Sequence, residues 1–210
     1  LRLGLAGSVL AVLGIVWLIN LYNFMDGIDG LSGSEAVTVA VFGGLLSLYA
    51  GNFSLAHFSL ALALSVAGFL VWNWPPAQIF MGDVGSGFLG FTFAYIALVS
   101  EKTGGVPLVI WLLLLSVFIV DATLTVIRRA LSREKWYEAH RSHVYQLAVQ
   151  AGYSHKQVTL RIILMNVCLA LIALIAQQFQ SFLFPSFIIS YGLLTVLHVY
   201  LYTEWNGGGV

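Results

Sequence analysis

Asn23, Asp26 and Asp29 stand three residues apart in the stretch Asn20-Leu21-Tyr22-Asn23-Phe24-Met25-Asp26-Gly27-Ile28-Asp29-Gly30-Leu31. Side chains three apart on a helix are neighbours, so these polar groups can share one edge. Carboxylates plus an amide oxygen are hard ligands suited to Mg²⁺, with Mn²⁺ as the alternative, and such an ion keeps waters and takes phosphate oxygens as well. Gly27 and Gly30 let the backbone leave the helix or come close to a ligand. The plainer reading is a helix-terminal turn with solvated aspartates. Two Asp-Gly pairs and two amides directly after a charge-free apolar run favour a site, because carboxylates at a bilayer surface are costly to desolvate.

Two further segments carry chemistry. Asp83 lies in Gly82-Asp83-Val84-Gly85-Ser86-Gly87. There a carboxylate can hold a metal, while Gly85 and Ser86 offer backbone N–H groups at a helix start, a natural phosphate site. The competing reading is an N-cap aspartate with packing glycines. His140-Arg141-Ser142-His143 combines groups that pair well with a diphosphate, Arg and protonated His. It also fits an interfacial helix with basic residues at the headgroups. Asp121 lies within an apolar segment, either as a buried site residue or as a packing partner to another helix.

The elements that must position these residues are apolar. Of 210 residues, 60% are hydrophobic and 9% charged, against about 25% charged in soluble domains. So little charge cannot cover a water-facing surface, which makes the fold class all-α, a polytopic transmembrane helix bundle. A formal net charge of zero carries no signal for nucleic acid. The single cysteine, Cys168, excludes an intramolecular disulfide. Seven spans are expected: Leu3 to Leu21, Ser32 to Ala50, Leu55 to Trp72, Gly85 to Ser100, Pro107 to Ile127, Val158 to Ala176 and Phe182 to Tyr202. Trp17 and Tyr22 read as interfacial aromatics closing the first. Ser32 and Glu35 read as a capping box opening the second. His57, Glu101 and His198 are taken as structural. With no soluble domain, linker or repeat, residues 1–210 read as one membrane catalytic domain.

Orientation follows from charge. Arg128, Arg129, Arg133, Lys135, Arg141 and Lys156 share one loop, which the positive-inside rule places in the cytoplasm. Counting spans backwards puts Asp83, and then Asp26 and Asp29, on the same face. A transporter or channel, the alternative of another class, wants its polar residues near the midplane. An intramembrane aspartyl protease fits poorly, because Phe80-Met81-Gly82 precedes Asp83 where Gly-x-Gly is needed.

Taken together, Asn20 to Leu31, Met81 to Ser86 and His140 to His143 resemble the polyprenyl-phosphate N-acetylhexosamine-1-phosphate transferases (glycosyltransferase family 4), which include phospho-MurNAc-pentapeptide transferase. The resemblance implies transfer of a hexosamine 1-phosphate from a UDP-N-acetylhexosamine to undecaprenyl phosphate, releasing UMP. The reaction would run on the cytoplasmic face of a bacterial inner membrane and require Mg²⁺. By motif match, Asn23 and Asp83 would bind the metal, and Asp26 and Asp29 would be the catalytic or substrate-positioning carboxylates. His140, Arg141 and His143 would hold diphosphate or sugar, with Gly85, Ser86 and Asp121 also on the substrate side. A homodimer is compatible with the resemblance. The family's Asp-rich motif is absent, since no Asp-Asp pair occurs in the chain, and seven spans are fewer than the family has. Both lead us to expect that N-terminal spans are missing. His-Arg-Ser-His is closer to the branch that initiates O-antigen-type glycans than to the peptidoglycan enzyme.

Overall fold

The structure, a computed structural model, describes residues 4–135, 138 and 140–207. The elements are α1 (Gly4–Met25), α2 (Leu31–Tyr49), α3 (Phe53–Asn73), α4 (Gly82–Thr103), α5 (Leu108–Leu114), α6 (Ser116–Leu131), α7 (Val144–Gln150), α8 (His155–Gln178) and α9 (Leu183–Gly207). A 3₁₀ turn at Gln180–Phe182 precedes α9. No strand occurs among the described residues. The chain is a polytopic transmembrane helix bundle. Six helices are long and apolar enough to cross a membrane, and the α5–α6 pair makes a seventh span if counted as one. The outer faces of α1 and α9 expose Leu5, Leu10, Ile188 and Val196, as lipid-facing helices do.

Close helix contact is carried by glycines. α2 packs along α3, and α1 along α4. A Cβ on Gly90 of α4 would sit 2.4 Å from the Leu18 carbonyl oxygen of α1, and one on Gly43 of α2 would sit 2.3 Å from the Trp111 ring. Gly90 thus lets two backbones touch, as small residues do between membrane helices. Gly43 opens the socket for Trp111, one of the largest fully buried side chains.

Three expectations change. Tyr22 is fully buried, packed on Phe93 and Phe118 with ring centroids 5.7 and 5.4 Å apart, and is not interfacial. Ser32 and Glu35 do not cap α2. The cap residue is Gly30, in the left-handed conformation at φ 75° and without a side-chain cap bond. Glu35 instead turns into the bundle and accepts a hydrogen bond from Asn166 of α8. The expected fifth span is broken at Leu115, where α5 and α6 meet at 76°. Neither Gly nor Pro lies at the break. The Ser116 hydroxyl donates to the Leu113 carbonyl at 2.7 Å, satisfying an oxygen that a helix end leaves without a partner. Past the bend α6 packs along α1, where the Trp17 indole donates to the Thr123 hydroxyl at 3.2 Å.

Candidate active site

The C-terminal end of α1 meets the N-terminal end of α4. The Asn23 side-chain amide donates to Asp83 Oδ1 at 3.0 Å and lies 3.4 Å from the Ser86 hydroxyl. That hydroxyl is anchored on the Gly82 carbonyl at 3.1 Å. With Met81 as the cap of α4, which begins at Gly82, the N–H groups of Met81 to Val84 are the four without helical partners. Gly85 lies one residue deeper, against the Met81 side chain, and Ser86 contributes its hydroxyl. Asn23 and Asp83 are exposed, and Asp26 is half-buried. Burial pushes the Asp26 carboxyl up to about 6, and the neighbouring Asp83 charge adds to the rise. Neither carboxylate has an ion-pair partner among the described residues.

Asp29 is used differently. Its Oδ2 accepts the Ala77 amide at 3.1 Å, and its Oδ1 lies 3.2 Å from His155 Nδ1. Its carbonyl accepts the Thr159 hydroxyl at 3.0 Å. The next residue's amide, on Gly30, donates to Asn73 Oδ1 at 3.0 Å, and Asn73 in turn donates to the Ile79 carbonyl at 2.9 Å. Asp29 and Asn73 thus tie the α1–α2 turn to the α3–α4 loop and to the start of α8. Left-handed Gly30 makes the turn, with Pro75 3.2 Å from where a Cβ would stand.

The third motif docks on the first. The Tyr145 hydroxyl donates to the Phe24 carbonyl at 2.8 Å. Only a glycine at position 27 leaves room for it, since a Cβ there would lie 2.1 Å from that oxygen. The Phe24 ring lies near both His140 and His143, whose rings stack 4.9 Å apart. Asp121 holds the loop from behind. It is 7% exposed, and its two oxygens accept the amides of Val144 at 3.1 Å and Tyr145 at 3.4 Å. His143 Nδ1 lies 3.5 Å away. Arg128 donates to the Ser142 carbonyl at 2.8 Å. Burial and the nearby His143, Arg129 and Arg128 charges lower the His140 imidazole to about 4. His140 is therefore neutral at pH 7 and can offer a diphosphate a hydrogen bond but no charge. The exposed Arg141 guanidinium has no ion-pair partner among the described residues.

All three motifs thus share one end of the bundle. The profile of the family described as glycosyl transferase family 4 matches residues 1–101. Over 185 residues the chain is 30% identical to the undecaprenyl-phosphate alpha-N-acetylglucosaminyl 1-phosphate transferase of Haemophilus influenzae, covering 82% of this chain and 52% of that protein. The chain belongs to glycosyl transferase family 4. It is also 32% identical over 143 residues to the probable undecaprenyl-phosphate N-acetylglucosaminyl 1-phosphate transferase of Bacillus subtilis, covering 67% of this chain and 39% of that one. With the phospho-N-acetylmuramoyl-pentapeptide-transferase of Clostridium perfringens the identity is 40% over 99 residues, 47% of this chain and 29% of that one. This family-4 chain spans about half the length, or less, of these curated relatives.

A hard divalent cation fits the donor set in part. Asp26 and Asp83 supply two carboxylates without a cationic neighbour, and the Asn23 carbonyl oxygen accepts no hydrogen bond among the described residues. No three His, Cys, Asp or Glu side chains converge on one point among those residues. That suits Mg²⁺, which completes its shell with water and phosphate oxygens, better than it suits an ion caged by protein. Sequence reasoning assigned no role to Asn73, and it set His198 aside. An amide beside a proline pair and a histidine in an apolar helix carry no local signal.

Proposed function

We propose that this chain forms the cytoplasmic catalytic surface of an enzyme that transfers N-acetylhexosamine 1-phosphate from a UDP-sugar to undecaprenyl phosphate. The products are an undecaprenyl-diphospho-sugar and UMP, and the reaction opens O-antigen-type or related surface glycan synthesis at the bacterial inner membrane. One observation carries the reading. Asn23, Asp26 and Asp83 face a shared end of the bundle with the His140–His143 loop, joined through the Asn23–Asp83 and Tyr145–Phe24 hydrogen bonds. The basic residues running from the end of α6 to the start of α8 support a cytoplasmic location.

The attacking group is a phosphate whose second pKa is about 6 by analogy with phosphoserine, so at neutral pH it is already largely a dianion. A strong general base is therefore secondary, and the larger difficulty is bringing two anions together. A bound Mg²⁺ would supply charge neutralisation on the donor diphosphate, held by Asn23 and Asp83. Arg141, the His140 N–H and the helix-start amides of Asp83 and Val84 bind the diphosphate oxygens. Asp26 orients the lipid phosphate or removes a residual proton from it. Asp29, occupied by Ala77 and His155, fixes the turn that presents Asp26. Such positioning and electrostatic complementarity supply most of the rate in phosphoryl transfer.

The test is UMP release by the full-length protein made from its own gene, with undecaprenyl phosphate and a panel of UDP-N-acetylhexosamines, with and without Mg²⁺. No UMP from any donor sinks the reading. Asp83→Asn should abolish release while the protein stays folded, because Asp83 is exposed and supports no core contact. Wild-type turnover in that variant would remove Asp83 from the metal site.

A further inference from the structure

We propose that Tyr202 and His198, on the last helix α9, are positioning residues for the donor-binding loop His140–His143. The proposal rests on the transferase reading for what that loop binds. α9 begins forty residues beyond the loop and holds none of the three motifs. It nevertheless touches two of the three α6 residues that hold the loop, Arg128 and Asp121; the third is Arg129, whose Nη1 lies 3.5 Å from the Ser142 hydroxyl. The Arg128 guanidinium carbon stands 3.6 Å from the centre of the Tyr202 ring, well inside the ~6 Å range of a cation–π contact. With one face on that ring, Arg128 directs Nη2 to the Ser142 carbonyl at 2.8 Å. The Ser142 hydroxyl in turn shares a hydrogen bond with His140 Nδ1 at 3.0 Å. On the other side, His198 Nδ1 lies 3.7 Å from Asp121 Oδ1, the same carboxylate oxygen that accepts the Val144 amide and faces His143.

A guanidinium on a flexible stem has rotamer freedom that an aromatic face removes, and a planar fork pre-set in this way spends less entropy per hydrogen bond formed. Tyr202 thereby fixes Arg128, and Arg128 fixes Ser142 and His140. His198 packs on the Asp121 carboxylate at 3.7 Å, beyond hydrogen-bond reach, and limits its movement beside the start of α7. α9 acts on the donor loop through Arg128 and Asp121.

Three variants of the full-length protein test this: Tyr202→Phe, Tyr202→Met and His198→Gln. Phe keeps the ring, and Met keeps apolar bulk without it. In Tyr202→Met the KM for the UDP-sugar should rise roughly three- to thirtyfold, the range a cation–π contact commands. The kcat and the KM for undecaprenyl phosphate should stay within about twofold. Tyr202→Phe should match wild type. Hydrogen exchange at the Val144 and Tyr145 amides should quicken in His198→Gln and Tyr202→Met but not in Tyr202→Phe. Equal KM changes in Phe and Met, or unchanged exchange in both Met and Gln variants, overturn the positioning role. Wild-type protein that releases no UMP overturns the transferase reading alone, because the exchange comparison still decides what α9 does.

Discussion

Asp121→Asn is the substitution whose consequence the structure specifies most closely. The carboxylate uses one oxygen for the Val144 amide at 3.1 Å and the other for the Tyr145 amide at 3.4 Å, and it also accepts the Thr125 hydroxyl at 3.2 Å. An amide of the same shape has one oxygen. Whichever way it turns, its NH₂ faces a backbone N–H that can no longer be satisfied. Leaving a buried donor without a partner costs ~1–3 kcal/mol, and the surviving bond loses its charge assistance, worth about 1 more. The total is about 2–4 kcal/mol, concentrated where the loop joins α7. At ~1.36 kcal/mol per factor of ten, local opening there should become about 30 to 1,000 times more frequent. Hydrogen exchange resolved at Val144 and Tyr145 reads this directly, and circular dichroism checks that helix content is kept. Protection of both amides within about threefold of wild type would show that Asp121 does not hold the loop.

Without a divalent cation Asp26 ionises as pH rises through about 6, so Mg²⁺ affinity measured by calorimetry should strengthen over that range. The stability contribution of Asp26 runs the other way. Its folded pKa is raised, so its contribution is full below the ordinary carboxylate range and is lost as pH climbs through about 6. Thermal unfolding followed from pH 4 to 7 should lose this component in Asp26→Asn. Gly90→Ala should destabilise by at least ~1–3 kcal/mol, because the new Cβ meets the Leu18 carbonyl oxygen at 2.4 Å and Ile19 Cα at 2.8 Å. A melting temperature equal to wild type would refute that contact. Glu35→Gln should melt close to wild type, since Glu35 is fully buried and its described hydrogen-bond partner is the Asn166 amide. Glu35→Leu strands that amide at ~1–3 kcal/mol, and equal melting of the two variants would refute the pairing.

Hydropathy and charge alone made the helical membrane class legible, with the order of the spans and the face on which Asp26, Asp83 and His140 meet. Each is a one-dimensional property: span length is set by bilayer thickness, loop sidedness by lysine and arginine, and alternation of sides by connectivity. The three polar motifs were visible for the same reason, because polar residues cost free energy beside apolar runs and so stand out. The sequence could not assign partners. Ser32 and Glu35 have the spacing of a capping box, yet Glu35 pairs with Asn166, 131 residues away. Asp29 matches the same motif as Asp26, but only the folded chain brings Ala77 and His155 to it. The break at Leu115 carries no Gly or Pro to announce it, and it aims Asp121 and Arg128 at the loop. Tyr202 and His198 look like ordinary residues of an apolar helix until α9 is packed against α6 and α7. Hydrogen bonds and ring contacts depend on ångström distances between segments far apart in the chain, and a local pattern of residue types holds no record of them.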